Sequence, residues 1–92
     1  MSDLHTLPNI SKVNEEKLVQ AGVKDIADLK SLGSKDAFLL IRDKVDEGAC
    51  LSLLCGLEGA IQGIRWHSLD QDIKDDLKEF YDRVKKESTV KF

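Results

Sequence analysis

The stretch from Ala49 to Ile64 constrains the fold of this chain more than any other feature of the sequence. It spans 16 residues and carries one charge, on Glu58. A helix that crosses a membrane needs about 18–20 apolar residues without a charge, so this stretch predicts a buried helix instead. Its aliphatic side chains leave little polar surface, which is typical of a helix surrounded by others. Those side chains are Leu51, Leu53, Leu54, Leu57, Ala60, Ile61 and Ile64.

Small residues interrupt this apolar stretch. Gly56, Gly59 and Gly63 fall at positions i, i+3 and i+7, which gives the predicted helix one thin face. Each glycine costs a helix about 1 kcal/mol relative to alanine, so we expect another helix to approach closely and cover that face. Cys50 and Cys55 would lie roughly 8–9 Å apart on one helix, beyond the reach of a disulfide. Both are predicted to be small core residues.

Glycines also mark the ends of shorter helices. Gly22, Gly33 and Gly48 each follow a run with helical periodicity, at the position where a helix often ends in the left-handed conformation. Three helices are therefore predicted before the apolar one, and a fifth follows it. The apolar face of this fifth helix carries Leu69, Ile73, Leu77, Phe80 and Val84.

Polar side chains predict where the helices begin. Either Ser11 or Asn14 caps the first helix, Asp25 caps the second and Ser34 the third, since short polar side chains accept hydrogen bonds from the free N–H groups of a helix start. Residues 68–71 have the Ser-x-x-Gln pattern of a capping box and predict the start of the fifth helix.

The pattern as a whole predicts one helical domain. No segment alternates apolar and polar residues over the length of a strand, and 92 residues are enough for one domain with one modest core. The prediction is an all-α fold: a compact five-helix single domain over residues 1–87, followed by a frayed tail at 88–92. The residues predicted in its core are Phe38, Leu54, Leu57, Ile61 and Leu77.

The charge balance limits the classes of partner. The 14 basic and 17 acidic residues give a formal net charge of −3, which excludes nucleic-acid binding by bulk charge and leaves only a local patch open. A local excess of bases, Arg83, Lys85, Lys86 and Lys91 against Glu87, lies near the end of the chain. The N-terminus has neither the basic nor the apolar region of a signal peptide, so a cytoplasmic location without membrane contact is predicted.

Catalysis is not predicted. His5 and His67 have no serine or cysteine nucleophile at a recognisable spacing, and the acidic residues of the fifth helix alternate with Lys74 and Lys78, as on a solvated face. The sequence contains no Walker loop, dinucleotide fingerprint or EF-hand loop. We therefore expect no catalytic, cofactor-binding or metal-binding residues, and no cofactor.

Two residues at or after the apolar helix have alternative interpretations. Glu58 either reaches solvent through a gap above the glycines or is paired inside the fold, with Arg65 or the Trp66 indole N–H as its partner. Trp66 lies at the bend before the last helix. It either plugs the junction between helices or is a partly exposed anchor for another protein.

Two helix starts resemble the hairpins of helix-hairpin-helix DNA-binding motifs. Such a hairpin uses Gly-hydrophobic-Gly so that backbone N–H groups at a helix N-terminus meet a phosphate. Residues 9–11 (Asn-Ile-Ser) replace both glycines, whereas residues 33–35 (Gly-Ser-Lys) keep one. Helix capping without a ligand explains the same residues. The candidate nucleic-acid contacts are Ser11, Lys12, Ser34 and Lys35.

Several segments along the chain match one pattern. Residues 7–10 read LPNI and are followed by KL at 17–18 and AGV at 21–23. The apolar helix carries LEGAI at 57–61, with Trp66 nearby. Together with LG at 32–33 and AF at 37–38, these segments resemble the C-terminal domain of the TfoX/Sxy family, bacterial regulators of natural competence, and the resemblance covers residues 4–80.

The resemblance implies a compact helical domain with helix-hairpin-helix-like topology in a protein that assists transcription rather than catalysing a reaction. The leading hypothesis is a non-enzymatic regulatory or adaptor module, a monomer or weak dimer, that contacts a protein partner such as the transcription machinery or a regulator. The alternative is a helix-hairpin-helix DNA-binding domain that contacts phosphates through the helix starts at 11–12 and 34–35. Because Ser11 replaces the family's glycine after LPNI, direct DNA binding is expected to be weak or absent.

Overall fold

Five α-helices form the protein in a computed structural model that describes residues 3–89, with side chains up to residue 86. The helices are α1 (Lys12–Gln20), α2 (Ile26–Leu32), α3 (Ser34–Lys44), α4 (Leu51–Gln62) and α5 (Gln71–Thr89), and 3-10 turns at Leu4–Thr6 and Trp66–Ser68 precede α1 and α5. No strand occurs within residues 3–89, so the predicted all-α, five-helix single domain is confirmed. No helix in this range is long and apolar enough to cross a membrane.

The apolar helix α4 is the centre of the fold. Helices α3 and α5 both pack against it, and α1 and α2 pack against α3. Phe38, Leu54, Leu57 and Leu77 are buried, as predicted. Ile61 is only half-buried and packs at the edge of the core. Since burying one such side chain contributes about 1.5–3 kcal/mol, this cluster is a main source of stability.

Glycine ends two helices as predicted. After α1, Gly22 has a φ of 101°. The N–H groups of Gly22 and Val23 donate to the carbonyls of Val19 and Leu18, which is the Schellman pattern. Gly33, with a φ of 85°, ends α2 and is followed directly by α3.

The prediction that Gly48 ends the third helix is wrong. Helix α3 stops at Lys44, and the N–H groups of Val45 and Asp46 both donate to the Ile41 carbonyl. Gly48 lies in the loop that follows, where its N–H donates to the Asp46 carboxylate over 2.9 Å. The helix ends before the glycine because the Asp46 carboxylate accepts the Gly48 N–H, which a longer helix would use in its own hydrogen bonds.

The predicted caps of α1 and α2 are present. Ser11, rather than Asn14, caps α1, since the Ser11 hydroxyl accepts the N–H of Asn14 over 3.2 Å. Asp25 caps α2 and accepts the N–H of Asp28 over 2.8 Å. The prediction that Ser34 caps α3 is wrong, because Ser34 is already the first residue of that helix.

The last helix begins later than the capping box predicts. Ser68 closes the second 3-10 turn instead of opening a helix, because the next residue, Leu69, is extended (ψ 144°) and buries its side chain in the core. Helix α5 therefore begins at Gln71 and reaches Thr89. Residues 90–92 of the predicted tail, including Lys91, lie outside the described residues.

Candidate functional site

The side chain of Asn9 links the N-terminal loop to α4 and to the loop after α4. Its Nδ2 donates to the carbonyl oxygens of Ile64 (2.9 Å) and Gly56 (3.4 Å), and its Oδ1 accepts the N–H of Trp66 (3.2 Å). The backbone of Asn9 has a φ of 68°, a left-handed conformation that asparagine adopts more readily than most residues. We call Asn9, Gly56, Gly59, Ile64 and Trp66 the Asn9 junction.

Gly59 allows both loops to approach the backbone of α4. A Cβ atom at this position would lie 2.6 Å from Asn9 Nδ2, 2.8 Å from the Ile64 carbonyl oxygen and 3.1 Å from the Trp66 backbone nitrogen. All three distances are shorter than an ordinary van der Waals contact. The glycine face is thus covered by two loops, and the prediction that a helix covers it is wrong.

Gly63 does not belong to the glycine face, contrary to the prediction. It follows the last residue of α4 with a φ of 78°. Its N–H donates to the Ala60 carbonyl, and the N–H of Ile64 donates to the Gly59 carbonyl. This left-handed turn ends the helix and brings the Ile64 carbonyl back toward Asn9.

A cleft of about 330 Å³ opens beside the Asn9 junction, between α1 and the start of α4. Asn14 and Lys17 line it from α1, Cys50 and Ser52 from the start of α4, and Trp66 from the second 3-10 turn. This volume is at the lower end of the range for small-molecule sites, about 300–1,000 Å³.

Trp66 is half-buried at the bend between α4 and α5. Its ring packs against the core and stacks on the ring of His67, with centroids 3.9 Å apart and an interplanar angle of 30°. This placement agrees with its interpretation as a plug between helices. Part of the side chain is exposed at the cleft, and contact with a partner there remains a prediction.

The two cysteines differ in their surroundings. Cys50 is exposed, so the prediction that it is a core residue is wrong. Because α4 begins at Leu51, Cys50 lies outside the apolar helix. Cys55 is buried, and burial raises the pKa of its thiol. Little thiolate therefore forms on Cys55 at neutral pH, and a structural role follows.

An ion pair joins α1 to the loop between α3 and α4. Lys17 Nζ donates to Asp46 Oδ2 over 3.0 Å, and the N–H of Gly48 donates to Asp46 Oδ1 over 2.9 Å. These two hydrogen bonds, that from Lys17 first, lower the pKa of Asp46 below its ordinary value of 3.8. The carboxylate form of Asp46 therefore makes the contacts that join α1 to the loop between α3 and α4 beside the cleft.

Acidification is expected to weaken the ion pair between Lys17 and Asp46. Because the pKa of Asp46 is lower in the folded state than in the unfolded state, its stabilising contribution is complete above pH 3.8 and is lost as the pH falls through the folded-state value. Asp46→Asn should therefore lower the free energy of unfolding at pH 7 and make it less dependent on pH below 4. Urea denaturation between pH 7 and pH 2.5 measures both, with Glu16→Gln, which changes an exposed carboxylate on α1, as control. Parallel pH profiles for Asp46→Asn and the unmodified protein would contradict the expectation.

The first candidate DNA contact lies at the start of α1. Ser11 already uses its hydroxyl to accept the N–H of Asn14. Lys12 is exposed, but Glu15 lies in the same first turn. The Glu15 carboxylate accepts the backbone N–H of His5 and lies 3.0 Å from the His5 ring nitrogen. A phosphate at this helix start would meet a capped helix and a carboxylate.

The second candidate DNA contact lies at the start of α3. Ser34 is 5% exposed, and its hydroxyl donates to Glu58 Oε1 over 2.7 Å. Lys35 Nζ donates to Asp76 Oδ2 on α5 over 2.7 Å and lies 5.3 Å from the centre of the Phe80 ring. Both side chains are therefore committed to contacts within the domain.

Glu58 is half-buried and hydrogen-bonded on both oxygens. Ser34 Oγ donates to Oε1, and Gln62 Nε2 donates to Oε2, each over 2.7 Å. The prediction that Arg65 or the Trp66 indole pairs with Glu58 is wrong. Ser34 on α3 and Gln62, one turn further along α4, lie close enough to donate to the carboxylate instead. The hydrogen bond between Ser34 and the Glu58 side chain therefore joins α3 to α4.

The residues considered for catalysis do not converge. His5 contacts Glu15, and His67 stacks on Trp66. Within the described residues, no group of three His, Cys, Asp or Glu side chains could hold a metal ion.

Sequence reasoning missed the role of Asn9. The available signal was an asparagine in place of a hairpin glycine, since asparagine is among the few non-glycine residues that enter the left-handed region. The Lys17–Asp46 pair had no such signal, because opposite charges 29 positions apart are common in a chain with this many charged residues.

The fold and the site together define a small helical domain built around one apolar helix, with two loops packed against the glycine face of that helix. The chain belongs to the TfoX C-terminal domain family, whose model matches residues 1–81. A solved structure of an uncharacterised protein from Listeria monocytogenes, in a triclinic crystal form, is 50% identical with a TM-score of 0.87, over 89% of this chain and 92% of that one. A solved structure of a Listeria monocytogenes protein of unknown function, in a tetragonal crystal form, is also 50% identical, with a TM-score of 0.86, over 89% of this chain and 99% of that one. No curated protein matches.

Proposed function

We propose that this domain is a non-enzymatic regulatory or adaptor module of the TfoX C-terminal type that acts through contact with another protein. The observation that supports the proposal is the state of the two helix starts. Ser11 caps α1, and Ser34 is buried against Glu58. In a helix-hairpin-helix domain, the free N–H groups at such helix starts bind phosphate. Here the Ser11 hydroxyl already accepts one of those N–H groups at α1, and the Ser34 side chain at α3 is only 5% exposed.

Charge supports the same conclusion. The chain carries a net charge of −3. Of the two lysines at the helix starts, Lys35 is paired with Asp76, and Lys12 is exposed. Phosphate contacts require cations that are available to replace the counterions of the nucleic acid. Few such contacts are available at the two helix starts, so a protein surface is the partner that the domain fits better.

Direct DNA binding by the domain is expected to be weak. A fluorescence-anisotropy titration with random and promoter duplexes should give a dissociation constant above about 10 µM at physiological salt, within the ordinary non-specific range. The titration is repeated at a second, lower salt concentration. The slope of log affinity against log salt then reports the number of phosphate contacts.

A helix-hairpin-helix DNA-binding domain is the second candidate. The observation that favours it is the start of α3, which has Gly33 as its flanking residue and no capping side chain. Submicromolar binding that weakens on Lys12→Ala or Lys35→Ala would replace the adaptor proposal with this one. Lys44→Ala is the matched control, since Lys44 is an exposed lysine at the opposite end of α3 from Lys35.

A further inference from the structure

We draw no further inference here: the strongest candidate, the cleft between α1 and the start of α4, rests on a helix N-terminus and on the exposed thiol of Cys50, and nothing in the described residues shows what occupies it.

Discussion

Gly59→Ala is expected to destabilise the domain by about 2–3 kcal/mol, the upper part of the range for an overpacked site. The added Cβ would lie 2.8 Å from the Ile64 carbonyl oxygen and 3.1 Å from the Trp66 backbone nitrogen, and neither atom can rotate away as a side-chain end can. The loss exceeds the helix-propensity gain of about 1 kcal/mol that alanine brings. For a domain of this size, the melting temperature should fall by about 10–25 °C, measured by circular dichroism.

Gly56→Ala is the matched control for this change. Both glycines are buried on the same face of α4, but a Cβ at Gly56 would lie 3.4 Å from the Asn9 Cβ, which is close to ordinary contact. Its melting temperature should therefore stay within a few degrees of the unmodified protein. Gly59→Leu should be at least as destabilising as Gly59→Ala. If Gly59→Ala and Gly56→Ala melted together, the loops would not be packed onto α4 as described.

The arrangement of the helices could be predicted because apolar periodicity reports burial directly. Leu54, Leu57 and Phe38 each recur at helical spacing and are fully or almost fully buried. Helix ends were less predictable, since they depend on competition for a few backbone groups. The Asp46 carboxylate accepts the Gly48 N–H, so α3 ends before Gly48. The extended conformation of Leu69 places the start of α5 later in the sequence than the capping box predicts.

The candidate site could not be predicted to the same degree because its contacts are distant in the sequence. Asn9 bonds to groups 47 to 57 positions away, and two of its partners are backbone carbonyls, which carry no side-chain signature. The glycines of α4 did indicate a close approach. They did not indicate whether a helix or a loop makes that approach, since the backbone of either can occupy the space that a Cβ atom would fill.

Asn9→Ala is expected to destabilise the domain by about 3 kcal/mol or more. Alanine removes the side-chain partner of the Ile64 carbonyl and of the Trp66 N–H in a half-buried site, at about 1–3 kcal/mol for each unsatisfied group. The Gly56 carbonyl also loses a contact with Asn9, but it lies inside α4, where a carbonyl accepts the N–H four residues further along the helix. It also keeps a side chain at a φ of 68°, which costs a further 1–2 kcal/mol, roughly, for a residue other than glycine or asparagine. Thermal and urea denaturation measure the loss.

Asn9→Gly separates the two contributions to this loss. Glycine removes the same three hydrogen bonds but accepts the left-handed backbone without strain, so Asn9→Gly should be more stable than Asn9→Ala by about 1 kcal/mol. Asn9→Asp keeps the acceptor for the Trp66 N–H but places a carboxylate oxygen against the two carbonyls. Repulsion there raises the pKa of the new carboxyl, so the variant should gain stability, relative to the unmodified protein, as the pH falls and the carboxyl regains a proton to donate. Equal stabilities for all three variants and the unmodified protein would show that the Asn9 hydrogen bonds do not hold the loops on α4.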